Sequence, residues 1–458
     1  MSGLRDKMNR LRISVAAAES SSNEDGRIAI GSNPDSNDEQ ILNDVTIDKQ
    51  MDSTNDMKIE TVSDSDSESE TLSASWLAMG VKLHYNERGS FLLRKVTYGS
   101  DYQHGIHRLG ELQRAAGGLT AFHQEQLQAE QLLFLDLETT GLGVGAGNVP
   151  FMVGLAYWLN GEFIVEQTLI RHPAEERAML AYIHVKLAEY RYLVTYNGKT
   201  FDWPVMQNRF ILNGYGSGFW QPLHLDFLHP SRSIWRNTLT SCRLSHVEEE
   251  RLGIERVDDV PGSLAPQLYF QYLAEGDPEP LEGVFRHNEI DMLSLACLTI
   301  RFGHLLLERE GSYVLPLPTE PEELVRTGLW LEKMGHSEQA ERMFTAAERS
   351  EHSSVSTLIM LAARDKKAGN WQRAVVLWQK AVQHPAKYGA TVNSAYIELA
   401  MYYEHKLKDY DSALQYATEA LELALNHPLL RRDAKRRVEI DSIRNRTERL
   451  KRKGRKEA

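Results

Sequence analysis

The segment QLLFLDLETTGL, residues 131–142, decides how this chain is read. Its first half is a short apolar run with the length of a buried strand. Asp136 and Glu138 interrupt that run two residues apart. Side chains on a strand alternate with period two, so both carboxylates leave the same face. Two anions on a buried strand are costly unless a cation meets them. No Lys or Arg stands within the strand. A bridging Mg²⁺ or Mn²⁺ satisfies the requirement, because hard cations take oxygen ligands.

Outward from this strand the pattern is α/β. The loop GLGVGAG (141–147) lacks the Gly-Lys-Ser/Thr of a P-loop. An apolar strand-like run follows it rather than a helix, which argues against a dinucleotide fold. It reads as a flexible rim beside the acidic strand. FMVGLAYWL (151–159) and EFIVEQTLI (162–170) are joined by Asn160-Gly161, a hairpin signal. Then come a helix over 175–190, the strand YLVTY (192–196), a helix over 203–212 and the strand HLDFL (224–228). Helices are expected over 238–253, 264–274 and 281–308. The pattern predicts a three-stranded meander continued into a mixed sheet flanked by helices, over 120–310. GSFLLRKVTY (89–98) predicts a small β element within 73–119, packed on that domain.

Residues 1–72 are rich in Ser, Asp, Asn and Glu, with SDSDSESE at 63–70. Such a segment buries too little apolar surface to offset its ordering entropy, which predicts a disordered acidic tail. Residues 320–430 are helical and repetitive. Gly335…Ala340…Phe344…Ala347 recurs 34 residues later as Gly369…Ala374…Trp378…Ala381, and again, less regularly, as Asp409…Ala413…Ala417…Ala420. A 34-residue period is that of tetratricopeptide helix pairs, a surface for a protein partner; a plain helical bundle is the alternative. The stretch 431–458 is basic, including RLKRKGRK (449–456): either a phosphate contact or a solvated helix end.

The net charge of −12 excludes a protein that coats nucleic acid by bulk positive charge. Two cysteines, Cys242 and Cys297, exclude a disulfide framework and suit a reducing compartment. The longest apolar run, 151–159, falls well short of the roughly 20 residues that cross a bilayer. A cytoplasmic protein without membrane contact is expected.

Three further residues have chemistry that depends on company. Asp202, in NGKTFD (197–202), opens a helix just after YLVTY, where it can join the acidic strand or merely cap the helix. His287 and Asp291, in HNEID (287–291), are four apart and share one helix face. Asp291 can complete a metal site while His287 takes a proton from water; an exposed helix face is the simpler account of the pair alone.

Taken together, LDLETTGL (135–142), NGKTFD and HNEID resemble the three motifs of the DEDD nucleases, in the right order. HLDFLHPSR (224–232), SCRLS (241–245), DDVPGS (258–263) and HNEIDMLSLA (287–296) narrow the resemblance to the YprB-like ribonuclease-H-like proteins of bacteria, over roughly 120–305. The helical C-terminal repeats suit that family. The resemblance implies a ribonuclease-H-like fold with Asp136, Glu138, Asp202 and Asp291 as metal ligands and His287 as general base. It implies two Mg²⁺ or Mn²⁺ ions, about 3.5–4 Å apart, hydrolysing phosphodiester bonds of DNA or RNA from a 3′ end. The sequence departs from the family at one point: His287 stands at the spacing of the family's catalytic Tyr rather than of its catalytic His. Asn197 and Lys199 are candidates for substrate phosphate. Arg232 and Arg243 are further candidates, with structural ion pairs as the simpler account of both. A non-catalytic nucleic-acid-binding protein or scaffold, acting through the helical repeats, is the rival reading.

Overall fold

The computed structural model describes residues 72–458, apart from positions 124, 142, 144, 146, 217, 308–317, 385–389, 427–433 and 458. The expected disordered tail, up to residue 71, and three positions of the glycine-rich loop therefore lie outside the described residues.

A seven-stranded sheet organises the N-terminal half. Its strands are β1 (Val81–Asn86), β2 (Gly89–Gly99), β3 (Leu132–Thr139), β4 (Pro150–Leu159), β5 (Glu162–Leu169), β6 (Tyr192–Thr195) and β7 (Leu223–Asp226). They lie in the order β1-β2-β5-β4-β3-β6-β7. β3, β4 and β5 form the expected antiparallel meander. Asn160 and Gly161 both take positive φ, 52° and 86°, as a tight hairpin turn requires. β6 and β7 add in parallel beyond β3, which makes the sheet mixed. The β1–β2 hairpin is no separate element. β2 pairs with β5 from Leu92–Leu169 to Gly99–Glu162, so the hairpin is the edge of the same sheet.

Five helices cover the sheet: α1 (Glu176–Leu187), α2 (Asp202–Leu212), α3 (Leu228–Trp235), α4 (Ala265–Glu275) and α5 (Glu282–Leu306). Strand alternation divides the core in two. Leu133, Leu135 and Leu137 join Met179, Ile183, Val205 and Phe210 on one face. Leu132 and Phe134 join Met292, Leu295 and Leu298 of α5 on the other. Asp136 and Glu138 continue the row of Leu132 and Phe134, and so project on the side of α5.

Two expected boundaries move for local reasons. HLDFL stops being a strand at Asp226, whose Oδ1 accepts the Leu228 amide at 3.0 Å and starts α3. The helix expected over 238–253 is helical only from Leu244 to Leu252. Before it, Ser241 Oγ accepts the Arg243 amide at 3.1 Å and Tyr196 donates to the Cys242 carbonyl at 2.6 Å, so the backbone there serves other partners. Gly253, with φ 65°, ends the helical turn in the left-handed conformation.

The C-terminal half contains α6 (Pro321–Lys333), α7 (Ser337–Arg349), α8 (Val355–Lys367), α9 (Trp371–Gln383), α10 (Ala390–Tyr402), α11 (Tyr410–Asn426) and α12 (Ala434–Glu457). The recurring alanines, Ala340, Ala347, Ala374, Ala381, Ala413 and Ala420, are all buried, so neighbouring helices approach closely. The core of the α5 face runs on into these helices. Trp235 Nε1 donates to Glu323 at 2.9 Å, and Arg251 pairs with Glu323 at 3.0 Å. The basic stretch near the end is helical. Arg446, Arg449 and Lys453 of α12 converge on the fully buried Glu404. No helix among the described residues is long and apolar enough to cross a membrane.

Candidate active site

The acidic centre forms where β3 ends against α5. The neighbouring β4 carries Gly154 directly opposite Asp136. A Cβ at Gly154 would stand 2.2 Å from Asn288 Oδ1, so only glycine lets this part of α5 come so close to the sheet. Asn288 is fully buried and donates through Nδ2 to Asp136 Oδ2 at 2.9 Å. Its own Oδ1 accepts Gln167 Nε2 of β5 at 3.0 Å. Gln167 Oε1 in turn accepts Arg94 Nη1 of β2 at 2.7 Å. A hydrogen-bonded chain thus runs from the edge hairpin to the first acidic residue.

Glu138 and Asp202 are both buried. Asp202 is the first residue of α2, but the cap position belongs to Phe201, and no side chain caps the helix. Burial drives the carboxyls of Asp136 and Glu138 well above their ordinary range. The charges of Asp291 and Asp202 push Asp136 the same way, and those of Asp136, Asp291 and Asp202 do so for Glu138. Asp202 is raised to about 7, first by burial and then by Asp226 and Asp291, against backbone hydrogen bonds that favour its ionised form. These mutual fields place Asp136, Glu138, Asp202 and Asp291 in one electrostatic neighbourhood.

Asp291 differs from the other three because Arg256 reaches it. The Arg256 guanidinium bonds to Asp291 Oδ1, to Asp259 Oδ2 at 3.1 Å, and through Nη2 to Glu248 at 2.6 Å. Glu248 is fully buried. His287 lies beside this cluster, with Nδ1 2.9 Å from Asp259 Oδ2 and Nε2 3.8 Å from Asp291 Oδ2. Burial disfavours the imidazolium. The Asp259 hydrogen bond and the negative charge of Asp291 and Asp259 outweigh it and hold the His287 pKa above its ordinary value.

Among the described residues, no group of three or more Asp, Glu, His or Cys side chains is arranged so that it could hold a metal ion. The donor set nonetheless suits hard divalent cations. It is all oxygen, and among the described residues no Lys or Arg forms an ion pair with the desolvated carboxyls of Asp136, Glu138 and Asp202. An ion entering the cleft would relieve the repulsion that now favours protonation of these carboxyls.

The other candidates lie along the same sheet edge. Asn197 has φ 71°, and its Oδ1 accepts the Thr200 hydroxyl at 2.7 Å, so its side chain serves the turn. Its amide and that of Lys199 donate to Asp226, at 2.8 and 3.0 Å. The Lys199 side chain is exposed, as are Arg232 and Arg243. The ion pairs expected of these two arginines do not form: among the described residues no carboxylate pairs with either. Asp259, Arg256, Glu248, Asn288 and Gln167 were not among the sequence candidates. Asp259 falls within DDVPGS, a segment quoted only for its family resemblance. Asn288 lies inside HNEID itself, and period-two and helical spacing give no sign of which polar residue turns inward.

Residues 133–302 match the RNase_H superfamily, and residues 361–450 match a domain of unknown function (DUF6340). The chain is 34% identical over 372 residues to the "Uncharacterized protein YprB" of Bacillus subtilis (strain 168). The match spans 76% of this chain and 84% of that protein.

Proposed function

The chain belongs to the YprB-like family of the ribonuclease H superfamily, and on that footing we propose that it is a divalent-metal-dependent nuclease cutting DNA or RNA from a 3′ end. One observation carries the reading: half-buried Asp136 and buried Glu138 and Asp202 lie within one another's fields, at a cost that a bound cation would offset. With Asp291 they would hold Mg²⁺ or Mn²⁺, two ions in all. The bound ions would activate water and stabilise the leaving oxygen. The protein's own groups do the rest. Asn288 orients Asp136, and Arg256 fixes Asp291. Asp259 and Arg256 both meet the Nδ1 side of His287, so that Nε2, on the Asp291 side, is the atom that would take a proton. Two free cysteines suit a reducing cytoplasm. The C-terminal helix pairs are read as a tetratricopeptide-like platform for a protein partner.

The deciding experiment is cleavage of labelled oligonucleotides, DNA and RNA, with free and blocked 3′ ends, in Mg²⁺ or Mn²⁺ and in chelator. Metal-dependent shortening from free 3′ ends, abolished in Asp136→Ala, supports the reading. Protein that cuts nothing, or an Asp136→Ala variant that cuts like wild type, leaves the non-catalytic binding or scaffold role in its place.

A further inference from the structure

We propose that Lys199, Arg232, Arg236 and Arg243 form a cationic track for the phosphodiester backbone of a nucleic acid strand whose end lies in the acidic centre. The inference rests on the nucleic-acid reading above and extends it to a second surface.

Three chain segments build the track at one end of the sheet. β6 runs parallel to β3, with Phe134 level with Val194, and β7 runs parallel to β6, with Thr195 level with Asp226. Asp136 and Glu138 therefore leave β3 at the same end of the sheet from which loop 196–201 and α3 depart. β7 is two strands from β3, about 10 Å across the sheet. Ligands of open α/β sheets gather outside these carboxyl ends. Asp226 ties loop and helix together, accepting the amides of Asn197, Lys199 and Leu228. The Tyr196 hydroxyl ties in the third segment through the Cys242 carbonyl, and Arg232 lies close enough to act electrostatically on both Tyr196 and Cys242. On α3 and its cap, Arg232 and Arg236 stand four apart, which places both on one exposed face.

Charge pairing differs between the core and this surface. Nearer the core the arginines are neutralised: Arg94 by Glu289, Arg209 by Glu176, Arg251 by Glu323 and Arg256 by Glu248. Among the described residues no carboxylate pairs with Lys199, Arg232, Arg236 or Arg243, although the chain carries a net charge of −12. Each exposed guanidinium is free to bond two phosphate oxygens. A strand drawn along these cations is held beside carboxylates that would otherwise repel it.

The test is binding of labelled single-stranded DNA and RNA to the full chain, carrying Asp136→Asn to prevent cleavage, over a range of salt concentrations. Three neutralised phosphate contacts account for about 2 units of the log–log salt slope on a single strand. The Arg232→Gln/Arg236→Gln/Arg243→Gln variant should bind at least tenfold more weakly at low salt, with a slope shallower by about that amount. Arg88→Gln/Arg177→Gln, at the opposite sheet edge, should change neither. A triple variant with unaltered affinity and slope overturns the track, even if wild type cleaves. Weakened binding by the triple variant, with a wild type that cleaves nothing, keeps the track and removes the nuclease reading.

Discussion

His287 Nδ1 lies 2.9 Å from Asp259 Oδ2, and this contact settles which ring nitrogen faces the acidic cleft. A carboxylate only accepts hydrogen bonds, so Asp259 favours hydrogen on Nδ1 and a lone pair on Nε2 toward Asp291, against Arg256 Nη1, which only donates and lies 3.0 Å from the same nitrogen. Asp259→Asn puts an amide there that can donate to Nδ1 and so favours the opposite tautomer. Cleavage turnover should fall by about 10²- to 10⁴-fold, with oligonucleotide affinity nearly unchanged. Nitrogen-15 NMR of the neutral ring should report the tautomer change without any turnover. Wild-type turnover in the Asn variant would remove Asp259 from the mechanism.

Asp136→Asn should separate stability from metal response. In the metal-free protein the substitution removes one of several like charges, so the variant should melt higher at neutral pH. Wild type should gain about 1–3 kcal/mol in saturating Mg²⁺ or Mn²⁺, and the variant should gain far less. The pH dependence has a definite sign. The folded pKa of Asp202 is raised from 3.8 to about 7, so the folded state binds a proton that the unfolded chain releases. Stability from this group is full below pH 3.8 and is lost as pH rises through about 7. His287, also raised, acts in the same direction. Read as the stability difference between metal-free wild type and Asp202→Asn, the Asp202 contribution should therefore fall as pH rises from about 4 to about 7, and saturating metal should flatten it. A difference that rises over that range would contradict this charge arrangement.

Gly154→Ala tests the support beneath the centre. The added methyl would meet Asn288 Oδ1 at 2.2 Å and Nδ2 at 2.7 Å, and Asn288 is fully buried and tied to both Gln167 and Asp136. The overpacking should cost about 1–3 kcal/mol in thermal or urea unfolding. It should also break the bond from Asn288 to Asp136, so that cleavage falls further than the lost stability explains. Unaltered melting and unaltered cleavage together would show that β4 and α5 can separate freely here.

What the sequence disclosed follows the physics of each signal. Asp136 and Glu138 were legible because charge on an apolar strand violates a strong local rule. The sheet was legible because Asn160-Gly161 and the alternating runs are local signals too. The β1–β2 hairpin was legible as a strand, but not as the sheet's edge, because its pairing with β5 joins residues about seventy positions apart. Arg256 and Asp259 stayed hidden for the same reason. Their partners on α5, His287 and Asp291, lie 28 and 35 positions further along the chain and meet them only after folding. The arginines followed the opposite course: ordinary composition suggested ion pairs for Arg232 and Arg243, and the fold leaves both exposed.

Glu404→Gln should release the C-terminal helix. Glu404 is fully buried and accepts Arg446 Nη1 at 3.0 Å, Arg449 Nη2 at 2.8 Å and Lys453 Nζ at 3.1 Å. Burial alone would raise its pKa, but hydrogen bonds from Arg449 and Lys453 and nearby positive charge prevail and lower it to about 2. A depressed acid stabilises the fold above its unfolded pKa of 4.5 and loses that contribution as pH falls toward about 2. Replacing the carboxylate leaves three partly exposed cations around a neutral amide, at a cost of about 1–3 kcal/mol if the site stays closed. α12 should instead open, because that exposes the cations to water. Amide exchange over 434–457 should then rise at neutral pH in the variant, and in wild type only on acidification. Trypsin should cut the opened helix first, with protection of β3 and α5 unchanged. Equal protection of α12 in both proteins would mean that its hold comes from apolar contacts such as buried Leu450, rather than from Glu404.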